Sequence, residues 1–251
     1  MPFTFSHPAI VLPLSKKWFS LTALVAGSII PDFEYFFKMK GHSDYGHNLD
    51  GLFWFDLPLA LLLMWVYNRF VKNKLIDHLP SYFNKRLSPL KNTGRRFFKH
   101  HWIIIIISVL IGSASHILWD NFTHMDGYFV SLFPSLTKWF NIAGYNIPVV
   151  VFLQLSSSVI GLLIIFFAIM NLPVGKLTNT NNHVLRYWMK ITAITLFILV
   201  LRYPTGFVMA EFFGDVVDTA ISGGLIGLLI VSFTTPANPV TTHTQAVQQQ
   251  A

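Results

Sequence analysis

Residues 102–124 read WIIIIISVLIGSASHILWDNFTH. The first half is an unbroken apolar run, and the second half plants His116, Asp120 and His124 at intervals of four. About 20 apolar residues cross a bilayer as a helix, and residues four apart stack on one helix face. The stretch therefore predicts a membrane helix with a row of ionisable groups along one side. Such groups are costly at membrane depth and usually mark a function. Imidazole and carboxylate together suit zinc and its neighbours among the metals.

The rest of the chain has the same character. Of 251 residues, 53% are hydrophobic and 12% charged, against about 25% charged in a soluble domain. Mean hydropathy is +0.53. Segments at about 51–71, 102–120, 149–170 and 190–210 meet or approach membrane length, and a shorter one at 217–235 contains SGGLIG. A sixth, WFSLTALVAGSIIPDFEYFF at 18–37, is broken by Pro31 and carries Asp32 and Glu34. Proline removes a backbone donor and kinks a helix, and broken helices at membrane depth occur where they are buried or line a cavity. The expected fold is an all-α, polytopic membrane helix bundle with five to six hydrophobic segments, the first bent or re-entrant at Pro31. Residues 1–235 read as one integral membrane domain. Residues 236–251, polar and uncharged, read as a disordered tail.

The net charge of +7 would suggest nucleic acid in a soluble protein. Here nine of the 18 Lys and Arg fall between Arg69 and Lys99, in a loop between apolar segments, which is a cytoplasmic topology signal. Nucleic acid is not an expected partner; membrane lipids are. Loops 72–100 and 171–190, the second with Lys176, Arg186 and Lys190, are expected in the cytoplasm of a bacterial inner-membrane protein. Both histidine-bearing regions then fall on the outer side. Of the 11 Asp and Glu, only Asp77 lies within the basic loops. His7 fits this scheme only if the N-terminal region re-enters, since a simple span at 18–37 would leave it on the cytoplasmic side. The first residues place their charges after the apolar ones, the reverse of a signal peptide, so no cleavable leader is expected.

The second polar cluster is PDFEYFFKMKGHSDYGH at 31–47, which contributes Asp32, Glu34, His42 and His47. Cysteine is absent, so any metal would be held by nitrogen and oxygen. A catalytic zinc takes about three protein ligands plus water, and makes that water acidic enough to ionise near neutral pH. His116 and Asp120 form the natural pair, with His124 a turn further on. The competing reading of the row is interhelical hydrogen bonding. A buried carboxylate such as Asp32 needs a metal, a cation or a strong donor, and Glu34 is a candidate general base. Asp44, Asp50 and Asp56 read as solvated, capping or supporting groups. Arg202, Glu211, Asp215 and Asp218 could pair with each other or bind an anionic headgroup. The spacer at 126–148 reads as loop or interfacial helix.

MPFTFSHPAIVLPL, LVAGSIIPDFEYF, GHNLDGLFWFDLPLALLL and GSASHILWDNFTHMDG, in this order, resemble a bacterial membrane family, domain of unknown function 4184. More distantly, PDFEY, HSDYGH and SHILWDNFT are similar to elements of inner-membrane metal-dependent hydrolases like YdjM. That likeness implies metal-binding roles for His7, Asp32, His42, His47, His116 and Asp120, with Glu34 and Tyr35 departing from its pattern of an acid followed by histidine. Together these readings predict a divalent metal, zinc first, at His7, Asp32, His42, His47, His116, Asp120 and His124. Asp32 or Glu34 would act as base on a phosphoester or lipid-like substrate. The alternative is a non-enzymatic membrane protein with a structural ion site or a proton-relay or transport role. Oligomeric state is left open.

Overall fold

The structure, a computed structural model, describes residues 3–16, 18–41, 43–91, 101–142, 144–178, 183–205 and 212–236. His42, the basic stretch 92–100, Glu211 and the tail from 237 lie outside the described residues. Helices follow one another as α1 (Pro8–Val11), α2 (Leu21–Ile29), α3 (Phe33–Lys38), α4 (Leu57–Val66), α5 (Lys72–Asp77), α6 (Ser81–Leu87), α7 (Trp102–Thr123) and α8 (Tyr128–Leu132). A hairpin of β1 (Trp139–Ile142) and β2 (Tyr145–Pro148) leads into α9 (Val149–Met170), α10 (Val184–Arg202) and α11 (Phe212–Thr234).

Among the described residues, four helical stretches are long and apolar enough to cross a membrane: Trp102–Leu132, Val149–Met170, Val184–Arg202 and Phe213–Thr234. The sequence predicts five to six. The difference lies in 18–37 and 51–71, which are apolar but not single α-helices. The nine residues of α2 rise only about 14 Å. They give way to a tight 3-10 turn at Ile30–Asp32 and then to the six residues of α3. The region from Leu52 to Asp77 stays helical, but wide π turns at Leu52–Asp56 and Tyr67–Val71 flank ten residues of α4. The spacer at 126–148 also differs from expectation: after α8 and a short 3-10 turn it forms the antiparallel hairpin, with Trp139 opposite Pro148 and Ile142 opposite Tyr145.

The four long helices are not equivalent. The most apolar windows of α9 and α10 are only 11% buried, against 39% for α7 and α11, so α9 and α10 present their apolar sides outward. The inner pair surrounds a core of Ala23, Ile30, Phe33, Phe36, Ala60, Met64, Ile105 and Val109.

The short α2 packs against α7, and small residues set how closely. A Cβ on Gly27 would lie 2.2 Å from the Val109 carbonyl oxygen, and one on Gly112 would lie 2.3 Å from that of Leu24. Small residues let membrane helices approach backbone to backbone. The two helices run in the same direction: Ser20 N–H donates to Ser108 Oγ at 3.0 Å, and His116 Nδ1 meets the Ser28 carbonyl at 2.7 Å. Residues 3–32 thus make a hairpin. The chain starts beside His116 at His7, descends along α7 to the level of Ser108, and returns through α2 to His116 at Asp32.

Candidate metal centre

Four side chains from three parts of the chain converge at the open end of this hairpin, opposite its bend. Asp32 comes from the 3-10 turn after α2, His47 from the loop after α3, and His116 and Asp120 from successive turns of α7. His116 Nε2 lies 3.2 Å from Asp32 Oδ1 and 3.3 Å from Asp120 Oδ2. His47 Nε2 lies 3.3 Å from the same two oxygens. All four ligand atoms fall within 4.8 Å of one another. Asp32 and His116 are fully buried and Asp120 is 5% exposed.

These contacts are close, yet they are not hydrogen bonds. His47 Nε2, His116 Nε2 and both carboxylate oxygens of Asp32 and Asp120 are buried without a hydrogen-bond partner. Leaving such groups unsatisfied costs roughly 1–3 kcal/mol each, more if charged. The four nitrogen–oxygen separations of 3.2–3.3 Å match the spacing of neighbouring ligands each held about 2.0 Å from one zinc ion.

The imidazoles are held by their far nitrogens. His116 Nδ1–H donates to the Ser28 carbonyl, which leaves Nε2 as the lone-pair nitrogen facing the cluster. Such an outer contact fixes tautomer and ring orientation in metal-binding histidines. His47 Nδ1 faces Ser43 Oγ at 3.2 Å. Burial opposes the charged form of His47, but the facing carboxylates of Asp120 and Asp32 outweigh it and raise its pKa above the usual histidine value.

The loop that delivers His47 is built on Glu34. One carboxylate oxygen accepts from the backbone N–H groups of Tyr45 and Gly46, both at 2.8 Å, and from Ser43 Oγ at 2.7 Å. The other accepts from Asp44 N–H at 2.8 Å and from Lys38 Nζ. Gly46 lies directly against the turn: a Cβ there would sit 2.4 Å from the Pro31 carbonyl oxygen. Glu34 therefore ties the His47 loop to the turn that bears Asp32, and apart from Lys38 all of its hydrogen bonds go to that loop.

The other expected site residues are placed as follows. His7 is fully buried and stacks on His116, with ring centroids 3.8 Å apart. Its Nε2 lies 3.5 Å from Asp120 Oδ1, and neither ring nitrogen has a hydrogen-bond partner. It adjoins the four-residue cluster without belonging to it. His124 caps α7 with Nδ1 3.0 Å from the Asp120 backbone carbonyl, while its buried Nε2 has no partner. Asp56, expected as a solvated or supporting group, is fully buried and accepts a hydrogen bond from Ser113 Oγ. A cavity of about 880 Å³ opens onto the cluster, with His47, Asp120 and His124 in its wall.

A model of the family described as domain of unknown function DUF4184 matches residues 1–233. The chain belongs to that family. The match takes in every described residue of the site, from His7 to His124, and all four long apolar helices up to Phe233. No curated protein and no solved structure matches the chain.

Sequence reasoning finds the four clustered residues but misses what aims them. The Ser28 carbonyl carries no side-chain signal, and the close approach at Gly27 and Gly112 that brings it to His116 shows only once the helices are packed. The role of Glu34 depends on backbone amides, which any sequence supplies.

Proposed function

We propose that this DUF4184 protein holds a divalent metal ion, zinc first, at Asp32, His47, His116 and Asp120, and uses it for hydrolysis of a phosphoester or lipid-like bond. The observation that carries the metal is the convergence of four buried ligand atoms at 3.2–3.3 Å without hydrogen-bond geometry. The hydrolytic part is supported by the cavity, which reaches the cluster along the His47 and Asp120 side. A bound metal would polarise the scissile group and make water available as a nucleophile near neutral pH. His7, stacked on His116 with two nitrogens to spare, is placed to hold or move a proton beside Asp120. Asp32 serves as a ligand in this reading, and Glu34 acts as organiser of the His47 loop rather than as base.

The protein sits in a bacterial inner membrane with loops 72–100 and 171–190 in the cytoplasm. The metal end faces outward, and the 3–32 hairpin enters and leaves on that outer side. This removes the difficulty with His7, which then needs no crossing to reach Asp120.

A second reading has one observation in its favour. The His–Asp separations of 3.2–3.3 Å are also within reach of ion pairing, so protonated histidines could form a structural or proton-relay network instead. Metal content by mass spectrometry on detergent-purified protein separates the two. One zinc or manganese per chain, lost in both His116→Ala and Asp120→Ala, supports the metal site. No metal in wild type after supplementation overturns it in favour of the relay.

A further inference from the structure

Asp32 closes the 3-10 turn, and Tyr35 follows three residues later in the first turn of α3. Residues three apart share a helix face, which brings Tyr35 to the same side as Asp32. Its ring stands 5.1 Å from the His47 ring, centroid to centroid, tilted by 49°. The apolar body of Tyr35 packs in the core with Phe33 and Phe36, while the side chain lines the cavity beside His47 and Asp120. Asp32 and Asp120 are the charged groups that act on its phenol most strongly. Tyr35 is thus rooted in the core and presents its polar end where the cavity meets the cluster.

Tyr35 is only 8% exposed, and buried tyrosine hydroxyls usually have a hydrogen-bond partner. This one makes no hydrogen bond to the protein among the described residues and, unlike the cluster atoms, is not sealed from the cavity. A phenol with its ordinary pKa near 10 is protonated at neutral pH, so it is a donor in want of an acceptor. A metal-loaded cluster offers no donor of its own, only carboxylates and imidazole lone pairs. Other side chains of the wall spend donors on the protein: Ser43 Oγ on Glu34, the Asn48 amide on the Asp44 carbonyl, and the Asn121 amide on the Ile117 carbonyl. Hydrolysis of a phosphoester builds negative charge on its oxygens, and a preorganised donor at that charge is worth far more in a closed site than in water.

We propose that the Tyr35 hydroxyl donates a hydrogen bond to a non-bridging oxygen of the phosphoester held at the metal cluster, and so stabilises the charge that grows there as water attacks. This deepens the hydrolase reading and rests on it for the phosphoester. The phenol keeps its proton throughout; it neither attacks nor takes a proton from the water. The substrate's anionic oxygens then lie at the edge of the cluster where His47 and Tyr35 meet.

The test compares detergent-purified, zinc-supplemented wild type with Tyr35→Phe, which keeps the ring and removes only the donor. Zinc content is read by mass spectrometry, the fold by thermal unfolding, and binding of inorganic phosphate by calorimetric titration. The expected result is that Tyr35→Phe keeps its zinc and its melting temperature but binds phosphate roughly ten- to a hundredfold more weakly, the scale of one hydrogen bond to a charged group. Unchanged phosphate affinity in Tyr35→Phe overturns the proposal and leaves the metal site standing. Loss of zinc from Tyr35→Phe also overturns it, because Tyr35 would then serve the cluster rather than the substrate. Zinc-loaded wild type that binds no phosphate overturns the proposal alone, whereas wild type that takes up no zinc overturns the hydrolase reading together with it.

Discussion

The two ends of the bundle treat buried polar groups in opposite ways. At the basic end, Asn84 is fully buried and well satisfied: its amide donates to the Ile76 carbonyl at 2.6 Å and accepts from Thr178 N–H at 2.9 Å. Asp77 receives Lys91 and the Thr178 hydroxyl. Trp188 Nε1 donates to the His78 carbonyl, the His78 ring stacks on Tyr187, and the Tyr187 hydroxyl meets Ser232. Arg86 Nε and Asn68 Oδ1 are the exceptions at this end. At the other end, Asp32, Asp120 and His7 are buried with their side-chain polar atoms unmatched. Buried polar groups are normally hydrogen-bonded, so the basic end is a structural lock, whereas the acidic end holds, among the described residues, unmatched groups that the proposed metal would satisfy.

The largest effect should come from removing a charge at the acidic end. Asp120→Ala or His116→Ala is expected to lose stoichiometric metal altogether, and chelation of wild type to lower its thermal stability in a metal-concentration-dependent way. Equal melting temperatures with and without chelator would erase the contrast between the ends. Next comes Gly112→Val, which drives side-chain atoms into the α2 backbone around Leu24 and Ser28. Overpacking of this kind costs about 1–3 kcal/mol or more, and here it should also weaken metal binding because it displaces the Ser28 carbonyl from His116. Retained metal affinity in a destabilised Gly112→Val protein would show that the helix contact does not aim the ligand.

A smaller effect is expected for Glu34→Gln. It keeps the shape of the side chain but loosens the loop that carries His47, and supporting contacts of this type are worth about 10- to 100-fold in metal affinity. Competition titration against a calibrated chelator reads this directly. The smallest effect belongs to the basic end. Asn84→Ala should cost about 1–2 kcal/mol of unfolding stability through its lost hydrogen bonds, with metal content unchanged. A loss of metal in that variant would mean the two ends are coupled rather than separate.

Much of the site is legible from spacing. His116 and Asp120 fall on one face because a helix repeats every 3.6 residues, and apolar surroundings flag them as costly. Asp32 is conspicuous for the same reason, next to Pro31. His47 is less so, since a histidine in a glycine-containing loop has no periodicity to locate it. His7 is placed only by the path of the 3–32 hairpin. Segment count is where sequence and structure diverge most. Hydropathy counts apolar residues in a window, but it does not register that 18–37 turns through a 3-10 segment or that 51–71 widens at both ends.

The sequence alone determined that this chain is an apolar helical protein with a basic end, an acidic and histidine-rich end, and no cysteine ligand for a metal. These are properties of composition and of short-range periodicity, and they hold whatever the helices pack against. Only the tertiary structure decided that Asp32, His47, His116 and Asp120 face one another, that Glu34 serves the loop, and that Asp218 lines the cavity. Those outcomes depend on contacts between residues up to 88 positions apart, such as Ser28 with His116. They are fixed by how closely Gly27 and Gly112 let two backbones approach, which a linear pattern of residue types does not encode.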